Sequence, residues 1–542
     1  MEREVKFSLV FRDMWQSAGK YVPRVDQLVK VAPAIIEMGC FARVETNGGG
    51  FEQVNLLFGE NPNKAVREWT KPFHEAGIQT HMLDRALNGL RMSPVPADVR
   101  KLFYKVKHAQ GTDITRTFCG LNDVRNIIPS IGYAHDAGMI SQCSLCITFS
   151  PVHTVEYYVN MAQQLIEAGA DEICIKDMAG IGRPVSLGKI VAGIKKIKNI
   201  PIQYHSHAGP GFNMASILEV CQAGCDYIDV GMEPLSWGTG HADLISVQAM
   251  LKDAGFKVPE INMEAYMKVR SLIQEFMDDF LGLYISPKNR LMNSLLIAPG
   301  LPGGMMGSLM ADLETNLESI NKYKAKRNLP FMTQDELLIK LFNEVAYVWP
   351  RVGYPPLVTP FSQYVKNLAM MNVMAMEKGK ERWGMIADDI WDMLLGKAGK
   401  LPGELAPELI EKAVETGDTD YMAFFWKMLL TALTMKAGFR GGEIVPSFCV
   451  GATFGCMAGQ LIGLSPSLCA ACGMAAVFCG VTNCPITSIL IAFEMFGFKG
   501  VSFYLIAVSI SYAASGYYGL YKDQTIVYSK YKAKFVNRKT RT

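Results

Sequence analysis

Three side chains in this sequence have the types and spacing of a metal site. His205 and His207 stand two residues apart in YHSHAG, and residues i and i+2 of a strand point to the same face, so two imidazoles converge on one point. Asp13, in FRDMWQS, adds a hard oxygen. Two nitrogens and one carboxylate oxygen suit zinc, manganese or cobalt better than calcium. A plain hydrogen-bonded core histidine without an ion stays open beside that reading. Lys176, in CIKDMAG, cannot ligate a cation as an ammonium; unmodified, it would pair with Asp177 or Asp13. Arg85, in LDRALN, is a further charged group of the same kind of segment.

The elements that must position these residues follow from apolar periodicity. Eight short runs read as strands: 6–11, 41–46, 78–83, 113–118, 141–149, 171–176, 200–205 and 226–231. Helical patterns lie between them, such as 25–39, 155–169 and 214–224, with Gly39, Gly77, Gly169 and Gly224 where helix C-caps belong. Eight β-then-α units in about 250 residues is the pattern of a (β/α)₈ TIM barrel. Such a barrel carries its site at the C-terminal strand ends, where Asp13, Arg85, Lys176, His205 and His207 all fall. The expected fold class is therefore α/β: a barrel over 1–255, a helical C-terminal extension over 256–417, and an all-α transmembrane segment within 418–542.

That last part rests on an asymmetry of charge. The 542 residues carry a net charge of +3, which argues for neither nucleic acid nor an acidic partner. Yet no Asp, Glu, Lys, Arg or His occurs from Ile444 to Phe493, and none from Gly500 to Tyr521. Uncharged runs longer than about 18 residues are candidates for membrane spans. The basic tail (Lys530, Lys532, Lys534, Arg538, Lys539, Arg541) would be cytoplasmic by the positive-inside rule, and the barrel domain with it. The charged start MEREVKFSLVF is no secretory signal. The 13 cysteines show no disulfide framework. Cys143 and Cys146, a C-x-x-C inside a strand, read as buried small hydrophobes.

The blocks RDMWQS, GLNDVRN (120–126), SPVHT (150–154), ICIKDMAG (173–180), HSH (205–207) and LGKAGKLPGELAPELI (395–410) together resemble the carboxyltransferase subunit of oxaloacetate decarboxylase, transcarboxylase and pyruvate carboxylase. The likeness implies that Lys176 is carbamylated and joins Asp13, His205 and His207 around one divalent metal. It implies carboxyl transfer between a keto acid and carrier biotin through a metal-stabilised enolate, with Arg85 as cationic partner and Gln16 as amide donor. Biotin would arrive on a separate carrier protein, because the family's Met-Lys biotin motif is missing and AMEKG (375–379) is not it. A biotin carboxyl carrier protein, a biotin carboxylase or membrane decarboxylase subunits, and a homo-oligomer are the implied partners.

Several positions depart from the family pattern. Met14-Trp15 replaces Ala-His, TNGGGF (46–51) replaces the Trp-Gly-Gly block, and RALN (85–88) lacks its glycine. In PGGMMGSL (302–309), Gly307 stands where the family relays a proton through Thr or Ser, with Ser308 as the adjacent substitute. Aldol and Claisen metallolyases such as isopropylmalate synthase share the Arg-Asp…Gln start and the His-x-His pair, but not the Lys-Asp-Met-Ala block.

Residues 418–535 resemble the last part of CLC chloride channels, through 424–455, 473–495 and 515–530. That likeness implies an anion path lined by the backbone amides of Glu443 and Ile444 and by Tyr528. The earlier halves of such a path are absent from the sequence. The two resemblances meet near Gly417–Asp418 without a spacer, as in a fusion. A chloride or anion transport fragment with an enzyme-like cytosolic domain is thus the rival to a membrane-tethered carboxyltransferase.

Overall fold

The computed structural model describes residues 3–19, 21–91, 94–292, 294–297, 305–416, 423–436, 444–521 and 523–541. It contains two compact units, Met1–Leu409 and Ile410–Thr542.

The first unit is built on eight parallel strands closed into a barrel in chain order. They are β1 (Lys6–Leu9), β2 (Phe41–Gly48), β3 (Gln79–Arg85), β4 (Ile114–Phe118), β5 (Ile140–Cys146), β6 (Glu172–Asp177), β7 (Ile202–Ser206) and β8 (Tyr227–Val230). Each falls on one of the eight runs expected from the sequence. The twofold side-chain period divides each strand between two environments. Ile173 and Ile175 of β6, and Ile202 and Tyr204 of β7, belong to the apolar core. The alternate positions reach polar groups of other strands. Arg43 of β2 crosses to Glu172 of β6 at 2.6 and 2.8 Å and to Gln203 of β7 at 2.8 Å. Arg116 of β4 crosses to Asp229 of β8 at 2.5 Å. Buried charges persist only when paired and hydrogen-bonded, so these crossings tie the strands to a fixed register.

A helical extension follows, with helices at Met263–Asp279, Met305–Ala325, Gln334–Arg351, Phe361–Glu377 and Asp388–Leu394. Polar contacts fasten it to the barrel. Asp123 caps the helix after β4 and also accepts the Lys400 amide at 2.8 Å, while the Asn126 amide donates to the Ala398 carbonyl at 3.0 Å. The sequence blocks 120–126 and 395–410 therefore meet in space.

The second unit has helices Ala423–Lys436, Ile444–Leu461, Pro466–Thr482, Pro485–Phe496 and Val501–Ala514, then an antiparallel pair, β9 (Thr525–Tyr528) and β10 (Phe535–Lys539). Here the expected transmembrane segment is corrected: no helix among the described residues is long and apolar enough to cross a membrane. The uncharged run is cut twice. Ser465 caps a helix that begins with Pro466, and Asn483, left-handed at φ 56°, precedes Pro485. The pieces have 18, 17 and 12 residues, against about 20 needed to span the hydrocarbon layer. The junction at 417–418 lies outside the described residues.

Candidate metal centre at the barrel mouth

Asp13, His205 and His207 come together as the sequence suggests, and a fourth residue, His241, joins them. One ligand atom from each of the four lies within 4.8 Å of the others, and all four residues are buried. Asp13 sits in the helix Phe11–Gly19 that directly follows β1. Its two oxygens are divided. Oδ1 accepts from the Ser17 hydroxyl at 3.0 Å and faces Arg12 at 3.5 Å. Oδ2 faces the Nε2 atoms of His205, His207 and His241 at 3.3, 3.7 and 3.6 Å.

The other ring nitrogen of each histidine fixes its tautomer. His205 Nδ1 lies 2.8 Å from Asp229 Oδ2, His207 Nδ1 lies 2.7 Å from the Thr239 carbonyl, and His241 Nδ1 lies 2.9 Å from the Ser206 carbonyl. Oxygen acceptors at those distances require Nδ1–H in all three rings; the Arg116 contact to His205 Nδ1, at 3.4 Å, is the looser one. Three Nε2 lone pairs then point with Asp13 Oδ2 at a common space. No hydrogen-bond partner meets His205 Nε2 or His241 Nε2. Buried acceptors that face one another without a donor are costly unless a cation lies between them. These residues therefore fit a divalent metal.

The electrostatics agree. Burial holds the His207 imidazole at a pKa of about 3, and burial with the nearby Lys176 ammonium holds His205 well below its usual value. Both are neutral ligands at ordinary pH. Burial alone would raise the Asp13 carboxyl, but Arg12 and the facing imidazoles outweigh it and hold it well below the usual range.

Lys176 ends β6 and stands in register beside His205. It is buried, with Nζ 5.8 Å from the Phe118 ring centroid. Among the described residues it makes no ion pair, so the plain pairing with Asp177 or Asp13 is not found. Asp177 instead accepts the Ile181 and Gly182 amides at 3.0 and 2.8 Å. That turn needs Gly180: at φ 68°, an added Cβ would come within 2.3 Å of the His207 carbonyl oxygen.

Gln16 lies one turn after Asp13, and its Oε1 accepts from Arg12 at 2.5 Å, which leaves its amide N–H groups free to donate outward. The glycine block after β2 accommodates it: a Cβ on Gly50 would sit 2.5 Å from the Gln16 amide. Arg12 also bonds Glu45 at 2.5 Å. Arg85 is held by the Leu90 and Arg91 carbonyls, both at 3.2 Å, and lines a cavity of about 380 Å³ together with Asn88, Phe118, Tyr364, Asp392 and Lys397. Met14 and Trp15, departures from the family pattern, are both fully buried in the core.

Of the remaining expected positions, some lie outside the described residues and the others belong to the second unit. Gly307 has no side chain to offer, the Ser308 side chain lies outside the described residues, and so does Glu443. Ile444 opens the helix Ile444–Leu461 and is exposed. Tyr528 is exposed on β9, its ring against Phe535 at 6.0 Å. The strand-end pattern that points to Asp13 and the His pair does not reach His241, which stands beyond β8 in the loop that follows it. That loop folds back, bonding the Ala208 amide to the Gly240 carbonyl at 2.8 Å and bridging His207 to His241.

Two family models match the chain: "HMGL-like" over residues 121–273 and "Voltage gated chloride channel" over 292–516. The second begins well before the 418–535 expected from the sequence. A pyruvate carboxylase subunit of Methanocaldococcus jannaschii is 30% identical over 414 residues, 75% of this chain and 68% of that protein. The methylmalonyl-CoA carboxyltransferase 5S subunit of Propionibacterium freudenreichii subsp. shermanii is 30% identical over 423 residues, 76% of this chain and 77% of that one. The solved carboxyl transferase domain of Rhizobium etli pyruvate carboxylase with pyruvate shares the fold, at TM-score 0.64 and 20% identity, covering 97% of this chain and 81% of that chain.

Proposed function

Since this chain belongs to the biotin-dependent carboxyltransferase family of pyruvate carboxylase and the methylmalonyl-CoA carboxyltransferase 5S subunit, we propose that it moves a carboxyl group between a 2-oxo acid of the oxaloacetate or pyruvate type and biotin borne by a separate carrier protein. The observation that carries this reading is the convergence of Asp13 Oδ2 and three imidazole lone pairs at the mouth of the barrel.

Asp13, His205 and His207 would hold the divalent metal. Bound there, such an ion supplies Lewis acidity toward a carbonyl oxygen. The chain's own groups do the rest. Asp229 and the Thr239 carbonyl hold the imidazoles in one tautomer and orientation. Gln16 presents amide N–H groups, aimed by Arg12. Arg85 offers a guanidinium to the substrate carboxylate at the edge of the 380 Å³ cavity, a volume in the usual range for small-molecule sites. Lys176 adds a buried positive charge beside the centre, suited to the negative charge that develops on an enolate oxygen.

The test is oxaloacetate decarboxylation by the full chain with free biotin and with Zn²⁺, Mn²⁺ or Co²⁺. Pyruvate release that needs both biotin and metal supports the reading. Biotin-independent aldol or Claisen chemistry at the same centre would replace it with the metallolyase reading.

The match to the chloride-channel model favours a second reading for residues 410–542 alone, as a channel-type helix bundle that attaches the enzyme to lipid. Two glycines, Gly451 and Gly455, bring the helix Ile444–Leu461 against the backbone of its neighbour, and Gly459 admits the Cys469 side chain, the close approach used between helices in lipid. Co-sedimentation of the full chain with phospholipid vesicles supports it; a chain left in the supernatant removes it.

A further inference from the structure

We propose that the β9–β10 hairpin is a recognition element for anionic phospholipid headgroups, and that it directs the second unit to a negatively charged membrane surface. The proposal rests on the reading that this unit attaches to lipid, and it names the lipid.

From residue 515 to 542 the sequence holds seven Lys and Arg against one acid, Asp523. Lys532, Lys534, Arg538, Lys539 and Arg541 are all exposed. Among the described residues their only carboxylate partner is Asp523, 3.7 Å from Lys539. The cluster is held in place rather than trailing as a tail. The Arg541 amide bonds the Tyr517 carbonyl at 2.9 Å, and the Gly519 amide bonds the Arg541 carbonyl at 3.0 Å. Lys530 turns inward instead: its ammonium donates to Asn483 and, at 2.8 Å, to Ser515, and lies 4.3 Å over the Tyr512 ring. Asn483 and Ser515 cap the C-terminal ends of the helices Pro466–Thr482 and Val501–Ala514, so the hairpin is fixed at that end. Tyr528 and Tyr531 stand exposed among the cations, the residue type that settles at the boundary between headgroups and hydrocarbon.

Charge alone would suit a nucleic acid as well. The neighbouring helices favour lipid. Pro485–Phe496 and Val501–Ala514 expose Ile486, Leu490, Phe503, Ile506 and Ile510. Glu494, near the end away from the hairpin, is the one charged residue in the two. At 12 and 14 residues they reach about 18 and 21 Å, short of the roughly 30 Å of hydrocarbon. An apolar face of that length beside a basic one fits attachment to one side of a bilayer. Near an anionic surface each Lys or Arg is worth about fivefold in affinity, within a Debye length of about 8 Å.

The experiment uses the full chain and its co-sedimentation with phosphatidylcholine vesicles, with and without phosphatidylglycerol, at low and high sodium chloride. Binding at least about tenfold tighter to the phosphatidylglycerol vesicles is expected, with that preference lost at high salt. The unmutated protein alone decides this. Combining Lys532→Gln, Lys534→Gln, Arg538→Gln and Lys539→Gln should remove the preference while circular dichroism shows unchanged helix content; a preference that survives in that folded variant would overturn the proposal. Equal binding to both vesicles would overturn it and leave the lipid reading standing. No sedimentation with either would overturn both. Tighter binding to a single-stranded oligonucleotide than to the anionic vesicles, at equal salt, would assign the hairpin to nucleic acid and overturn the proposal as well.

Discussion

The barrel and the C-terminal unit place polar and apolar groups in opposite ways. At the centre of the barrel, Arg43, Arg116, Asp229 and Lys176 are buried, each charge but the last paired across the strands. In the C-terminal unit, Ile486 is 74% exposed, Leu461 71% and Trp426 51%. Charges are buried where they pair across the barrel, whereas large apolar side chains lie exposed along the helices of the second unit, as on interaction surfaces. The candidate metal cluster thus belongs to the first unit, and the exposed apolar side chains gather in the second.

The contrast is broken most severely at the metal centre. Asp13→Ala removes the only carboxylate of the cluster. Carboxyl transfer is expected to fall on the order of 10³-fold, since Lewis-acid stabilisation is worth several kcal/mol. Steady-state kinetics with metal in excess checks it, and a loss under tenfold would contradict it.

Next is the pair beneath that centre. Arg116→Met leaves Asp229 buried without its guanidinium and should cost about 3–5 kcal/mol in urea unfolding. A cost below about 1 kcal/mol would show that the barrel interior tolerates an unpaired charge.

A smaller effect is expected where the extension meets the barrel. Asp123 caps its helix and binds Lys400; Asp123→Ala should cost about 1 kcal/mol. Burial opposes the Asp123 carboxylate, but Arg125 and the Lys400 amide outweigh it and lower its pKa in the folded state. Its contribution is therefore fully present above the unfolded value of about 3.9 and is lost as pH falls through the lower folded value. The difference between Asp123→Ala and the parent protein should stay constant from pH 7 to about 4 and shrink below it.

Smallest is a surface change in the second unit. Ile486→Lys should alter thermal stability by less than about 0.5 kcal/mol, yet reduce sedimentation with vesicles. A large destabilisation would mean that the residue is covered within the chain.

Much of this was legible in the sequence, for physical reasons that differ by element. The eight strands showed because alternation is local. Asp13, His205 and His207 showed because barrels carry their sites at strand ends. His241 did not, because only the folded loop after β8 brings it back over β7. Arg116 and Asp229 did not, because their partnership exists only once the barrel closes. The transmembrane expectation followed the absence of charge and passed over Pro466 and Pro485, which divide the uncharged run into short helices.

The most direct test is the metal content of the purified full chain together with the chelator sensitivity of carboxyl transfer. One divalent transition metal per chain is expected, with transfer to biotin abolished by chelation and restored by Zn²⁺, Mn²⁺ or Co²⁺. A folded chain without bound metal, whose carboxyl transfer is indifferent to chelator, would contradict it.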